Sequence, residues 1–198
     1  GKDIEAVKKS DAFIYGSLVA RSNMSRETLL ALLDHAAYKI FDVNLRPPWW
    51  KPEQVLDMLN AAHWVKLNTD ELALLSAASP GSDPGPTGFL ERHRLTGLLL
   101  THGARGAELF TRAGDHFSVR PDWSTAVMDT VGAGDAFLAG YVAARYGAKP
   151  VEECLAFGVA CGAESTQRLG AGLIDPHKVE RLVPEVEVAR LAEQAEVS

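Results

Sequence analysis

A chain of 198 residues, set against roughly 150 residues per domain, has room for one sizeable core. With 46% hydrophobic and 23% charged residues it has the composition of a folded globular protein, which excludes disordered, collagen-like and coiled-coil classes. Its 20 Lys and Arg are outnumbered by 26 Asp and Glu, for a net charge of −6, so no cationic field would draw in a nucleic-acid backbone and no nucleic-acid partner is expected.

Taken in chain order, the first residues mix Lys2, Asp3, Glu5, Lys8 and Lys9 with single apolar positions, which is not the pattern of a signal peptide. Residues 12–15 form a short apolar run that reads as a buried strand. Ser25 to Tyr38 reads as a helix with Ser25 as its cap and leucines on one face. A strand at 39–43 runs into the Pro47-Pro48 pair, which forces a loop. Pro52 then opens a short helix to Asn60. A strand at 63–67 and a helix at 70–77 follow, and the Pro- and Gly-rich run 79–88 reads as a surface loop.

Residues 97–101 are an apolar strand, and 106–111 and 115–120 are two more joined by the turn 112–114. Helices are predicted over 133–146 and 151–168, with a C-terminal helical pair opening at Pro176 and Pro184. Strand alternating with helix predicts a three-layer α/β fold with a mostly parallel sheet, one domain over residues 1–198. The two cysteines, Cys154 and Cys161, sit two helical turns apart, about 10.5 Å, too far for a disulfide. Buried reduced thiols suit a cytoplasmic protein. No apolar stretch approaches the roughly 18 residues of a membrane span, so no membrane association is expected.

Chemistry concentrates in Asp129-Thr130-Val131-Gly132-Ala133-Gly134-Asp135-Ala136-Phe137, where a loop becomes a helix. Two glycines let the backbone turn tightly, and the first N–H groups of the helix point, with its positive dipole end, at an anion. Phosphate is the natural candidate. Asp135 falls in the first turn, where a carboxylate can accept a proton from an attacking hydroxyl. Spacing alone supports equally a capping loop in which Asp135 is only a dipole partner. The dinucleotide fingerprint fails because Phe137 occupies the third glycine position. The P-loop and the nucleophile elbow are absent, as are the histidine and cysteine spacings of metal sites.

The segment DTVGAGDAF resembles the C-terminal signature of the ribokinase-like (PfkB) carbohydrate kinases. Three further landmarks follow that family's order: Asp42-Val43-Asn44-Leu45-Arg46 is similar to its D-x-N-x-R motif, Asn68-Thr69-Asp70-Glu71 to N-x-x-E, and Thr101-His102-Gly103-Ala104-Arg105-Gly106 to T-x-G-x-x-G. The resemblance implies a ribokinase-like fold and an ATP-dependent sugar kinase. Asp135 would be the base that activates a sugar hydroxyl, and the N–H groups of Gly132, Ala133 and Gly134 would hold the charge developing on the γ-phosphoryl.

Asn68 and Glu71 would position Mg²⁺, its waters and the ATP phosphates, although Asn68 also reads as a simple helix cap. Thr101, Gly103 and Gly106 would run beside the nucleotide, or form a plain hairpin corner. Asp129 matches a position near the monovalent-cation site, K⁺ in this reading, with a loop-shaping role carrying equal weight. Arg46, at the carboxyl end of a strand where ligands of α/β sheets collect, could pair with a phosphate or substrate group; Asn44 joins it as a candidate substrate contact, and Asp42 fixes the loop. Trp49 and Trp50 read as loop packing.

Within the family the phrase FDVNLRPPWW is most similar to fructokinases, which implies fructose as the acceptor. Kinases of 2-keto-3-deoxygluconate carry a similar loop and supply the alternative sugar. Family members usually carry an N-terminal strand Asp, a Gly-Gly motif and a β-sheet lid that closes over the sugar and often makes a homodimer. None is found here, so the chain is expected to correspond to the C-terminal two-thirds of such a kinase. An inactive nucleotide-binding fragment is the second expectation.

Overall fold

A computed structural model describes residues 2–81, 83–123, 127–170 and 173–191. The strands hydrogen-bond in chain order, β1 to β7, in one seven-stranded, mostly parallel sheet of a three-layer α/β fold. The chain divides into two compact units, Gly1–Leu100 with Phe110–Gly114, and Thr101–Leu109 with Asp115–Ser198.

The first unit begins with α1 (Lys2–Lys9) and continues through β1 (Phe13–Gly16), a 3₁₀ turn at Ser17–Arg21, α2 (Asn23–Leu33) and β2 (Lys39–Asp42). It goes on through α3 (Pro52–Asn60), β3 (Trp64–Asn68), α4 (Thr69–Ala78), α5 (Pro86–Arg92) and β4 (Gly97–Thr101). β1, β2 and β3 are parallel, with Gly16 opposite Asp42 and Asp42 opposite Lys66. That register brings the carboxyl ends of the three strands level, and with them the loops that follow. β2 is an almost continuously buried run, as expected of a strand covered on both faces. Its core includes Phe41, Met58, Leu59, Leu75, Phe89 and Leu98.

Two expectations change in this unit. α2 starts at Asn23, capped by the Ser22 hydroxyl accepting from the Ser25 N–H. Ser25 is thus inside the helix, because Ser22 already satisfies the first-turn donor. The stretch read as a loop to Gly88 becomes α5 from Pro86, with Pro in the first turn and Phe89 and Leu90 buried; burial of two large apolar side chains outweighs the turn-forming composition before it. Ser82, within that loop, lies outside the described residues.

The second unit carries β5 (Ala107–Thr111), which straddles the division, then β6 (His116–Pro121), α6 (Ala133–Tyr146), α7 (Val151–Ser165), α8 (Pro176–Leu182) and β7 (Val186–Leu191). The second C-terminal helix expected from Pro184 is in fact a short 3₁₀ turn and then β7, antiparallel to β6 with Val188 opposite Val119. Alternating exposure along Val186–Val188 shows the two-residue period of a strand, and the ladder to β6 fixes it. α6 and α7 approach closely: a Cβ on Gly140 would stand 2.6 Å from Cys161 Sγ. Both cysteines are free and buried, and burial pushes the Cys161 thiol up to about 11.

Candidate active site

In the first unit the loop after β2 is built from the backbone outward. Asn44 has φ 41°, a left-handed conformation that Asn tolerates better than most residues. Its carbonyl accepts from the Ser17 hydroxyl at 3.0 Å. Leu45 is buried and donates its N–H to Glu71 Oε1 at 2.8 Å. Arg46, next along, is exposed, and Trp49 is 61% exposed while Trp50 packs on the core. Of the two tryptophans, then, only the second secures the loop.

Asn68 and Glu71 open α4 as a reciprocal capping box. Asn68 Oδ1 accepts from the Glu71 N–H at 2.9 Å, and Glu71 Oε2 accepts from the Asn68 N–H at 2.9 Å. This satisfies two of the donors that a helix start leaves without partners. With Oε1 on Leu45 and Oε2 on Asn68, the Glu71 carboxylate ties the 43–46 loop to the start of α4 from a position only 7% exposed. Beneath the same loop lies a pair that sequence reasoning missed: Lys66 Nζ donates to Asp42 Oδ1 at 2.9 Å, both residues 6% exposed. The signal was available, since Lys66 interrupts an otherwise apolar strand core.

In the second unit the Thr101–Gly106 turn closes with His102 N–H on the Gly106 carbonyl at 2.9 Å. Gly106 has φ 102°, and a Cβ there would lie 2.0 Å from the Val119 carbonyl oxygen, so no other residue fits. Gly103, also at positive φ, has open space around it. Thr101 ends β4 and is half-buried.

The anion loop follows the same logic. Gly132 is the N-cap of α6 at φ 82° and ψ −3°, the left-handed region that glycine enters without strain. The Ala133 N–H turns back onto the Thr130 carbonyl at 3.2 Å. The N–H groups of Gly134 and Asp135 belong to the first turn, which has no intrahelical acceptor for them. Asp135 is exposed, in the turn where the helix dipole favours a negative group. Asp129 shapes the loop: Oδ1 accepts from the Val131 N–H at 3.0 Å and Oδ2 from the Gly170 N–H at 2.9 Å. Those bonds, Val131 first and Gly170 second, hold its carboxyl below the usual carboxylate range.

Neither Glu71 nor Asp129 presents a carboxylate free of backbone donors, and among the described residues no three His, Cys, Asp or Glu side chains are grouped to hold a metal ion. The contacts observed at both residues organise backbone.

The described residues thus contain a glycine-capped helix start with an exposed carboxylate in its first turn, a shaped turn at 101–106, and a buttressed loop at 43–46. The sequence pattern of pfkB family carbohydrate kinases matches residues 2–178. The chain belongs to that family. This family member is 34% identical over 181 residues to a fructokinase of Klebsiella pneumoniae, across 82% of this chain and 57% of that one. It is 31% identical over 178 residues to a fructokinase of Salmonella thompson, across 82% and 79%. The chain therefore spans a little over half the length of the Klebsiella relative.

Among solved structures it is similar to a fructokinase with bound ATP from Xylella fastidiosa, with TM-score 0.78 and 22% identity over 91% of this chain and 63% of that one. A putative ribokinase II from E. coli gives TM-score 0.79 and 22% identity over 91% and 61%. At those identities the likeness establishes the shared fold of the pfkB kinases. No described helix is long and apolar enough to cross a membrane.

Proposed function

We propose that this chain is the phosphoryl-transfer portion of an ATP-dependent sugar kinase whose acceptor is fructose. The observation that carries the reading is the start of α6, where left-handed Gly132 opens a helix whose first turn carries the Gly134 and Asp135 N–H groups together with the exposed Asp135 carboxylate. Asp135 takes the proton of the attacking sugar hydroxyl, and that oxygen bonds to the γ-phosphorus as the bond to the ADP leaving oxygen breaks. The backbone donors hold the charge on the transferred group. Preorganised donors of this kind contribute on the order of 3–4 kcal/mol each. Gly132 supplies the turn, and Ala133 contributes less as a donor because its N–H is engaged by Thr130. By the family motifs they match, Thr101, Gly103 and Gly106 are the candidate nucleotide contacts and Asn44 and Arg46 the candidate acceptor contacts.

ATP would arrive with Mg²⁺, which neutralises phosphate charge; Asn68 and Glu71 are the candidates to position the ion and its waters, and the same Glu71 carboxylate holds the α4 start and the 43–46 loop. Asp129 acts by shaping the loop. Fructose is supported by the fructokinase relatives and by the FDVNLRPPWW phrase; 2-keto-3-deoxygluconate is the competing acceptor. The measurement is ADP release and sugar phosphate formation with ATP and each sugar. Transfer to fructose but not to the acid sugar supports the reading; transfer to 2-keto-3-deoxygluconate alone replaces it.

The competing reading is a chain that binds nucleotide without transferring the phosphoryl group. Orientation of the acceptor accounts for about 7–11 kcal/mol of such barriers. Binding of ATP with no transfer to any sugar selects this reading.

A further inference from the structure

The last turn of α7 holds a carboxylate that the site above does not use. Glu164 is 0% exposed, in a run of small and apolar residues. Its Oε1 pairs with the Arg168 guanidinium, and its Oε2 has no hydrogen-bond partner. A buried carboxylate so sparsely satisfied contributes little to stability compared with an apolar side chain of the same size. Its partner makes a second contact: Arg168 also donates to the Leu173 carbonyl, so one guanidinium ties the end of α7 to the segment leading into α8.

Between those two residues in sequence stands Gly170, whose N–H donates to Asp129 Oδ2. Asp129 in turn holds the Val131 N–H, one residue before Gly132. The Thr166 carbonyl adds a parallel hold, accepting from Met128 N–H at 2.8 Å and Asp129 N–H at 3.3 Å. The route from Glu164 to the first turn of α6 thus runs through the Glu164–Arg168 pair, along the chain from Arg168 to Gly170, and through Asp129 to Val131, within one unit.

We propose that the Glu164–Arg168 pair is a positioning element for the phosphate-binding loop: Glu164 sets the guanidinium, which anchors Arg168 to the end of α7 and the Leu173 carbonyl, and Gly170, two residues on in the chain, passes that placement through its N–H to Asp129 and so to Gly132–Asp135. Neither residue touches substrate, and the proposal rests on the reading of this loop as the clamp on the ATP phosphates.

Glu164→Gln keeps the volume and removes the charge that orients Arg168. Amide hydrogens of Gly170 and Val131 then exchange about tenfold faster, within the range seen along coupled contact networks, while Val159 and Ala160 in the middle of α7 are unchanged. ATP affinity falls by a similar factor, whereas AMP, which lacks the outer phosphates, binds as before. Combined with Asp129→Asn, the loss equals that of Asp129→Asn alone, because both act through one link.

Unchanged exchange at Gly170 and Val131, a loss shared equally by ATP and AMP, or multiplying losses in the double variant each overturns the proposal. A wild-type chain that binds neither nucleotide defeats the phosphate-clamp reading separately; the exchange rates still decide whether the pair positions the loop. Should Glu164→Gln fail to fold, Arg168→Lys retains a cation for Glu164 without the second contact to Leu173, and carries the same expectations.

Discussion

Replacing Asp135 by Asn keeps the shape of the first turn of α6 and removes its capacity to take a proton. For a base in direct contact with the reacting hydroxyl, kcat for sugar phosphorylation falls about 10²–10⁴-fold with ATP affinity preserved; a coupled ADP assay alongside nucleotide titration reads both. His93 gives a residue-scale prediction independent of function. It is 6% exposed, its Nδ1 lies 2.9 Å from Asn60 Oδ1, and burial, with Arg92 adding repulsion, pushes its imidazole down to about 4. An unfolded histidine titrates near 6.5, so between those values the unfolded chain binds the extra proton. Stability from this residue is therefore complete above about pH 6.5 and declines as pH falls toward about 4. His93→Gln flattens that part of the curve of melting temperature against pH.

At the scale of elements, the α4 start and the α6–α7 seam make opposite kinds of test. Asn68→Ala removes one half of the capping box, and loss of such a cap costs about 1 kcal/mol, read as a lower denaturant midpoint with unchanged slope. Glu71→Ala costs more, about 2–3 kcal/mol, because it strands the buried Leu45 N–H as well as the Asn68 N–H. In the seam, Gly140→Val forces a side chain against Cys161 Sγ. Overpacking of this kind costs about 1–3 kcal/mol, and Cys161→Ala in the same chain recovers part of it, which a double-mutant cycle measures. α7 also explains why its register was readable and its role was not. Its apolar spacing marks a helix, but nothing in the run CGAES says that Glu164 turns inward to meet Arg168.

For the whole molecule, a phosphate-binding chain gains stability from nucleotide by mass action. ATP at 100 times its dissociation constant raises stability by about 2.7 kcal/mol, seen as a thermal shift that AMP reproduces only weakly. A melting temperature indifferent to ATP would contradict the proposed function directly. The sequence by itself determined the strand–helix alternation, the glycine at position 132 and the order of the four family motifs, because each depends on local backbone sterics or on spacing along the chain. Tertiary structure decided the rest. Residues 186–191 became a strand because β6 offered a ladder, and residues 86–92 a helix because the core took Phe89 and Leu90. Glu71 and Asp129 became tethers because Leu45 and Gly170, 26 and 41 residues away, brought backbone N–H groups that no local pattern predicts. A carboxylate's role depends on which donors reach it, and those donors are assembled only by folding.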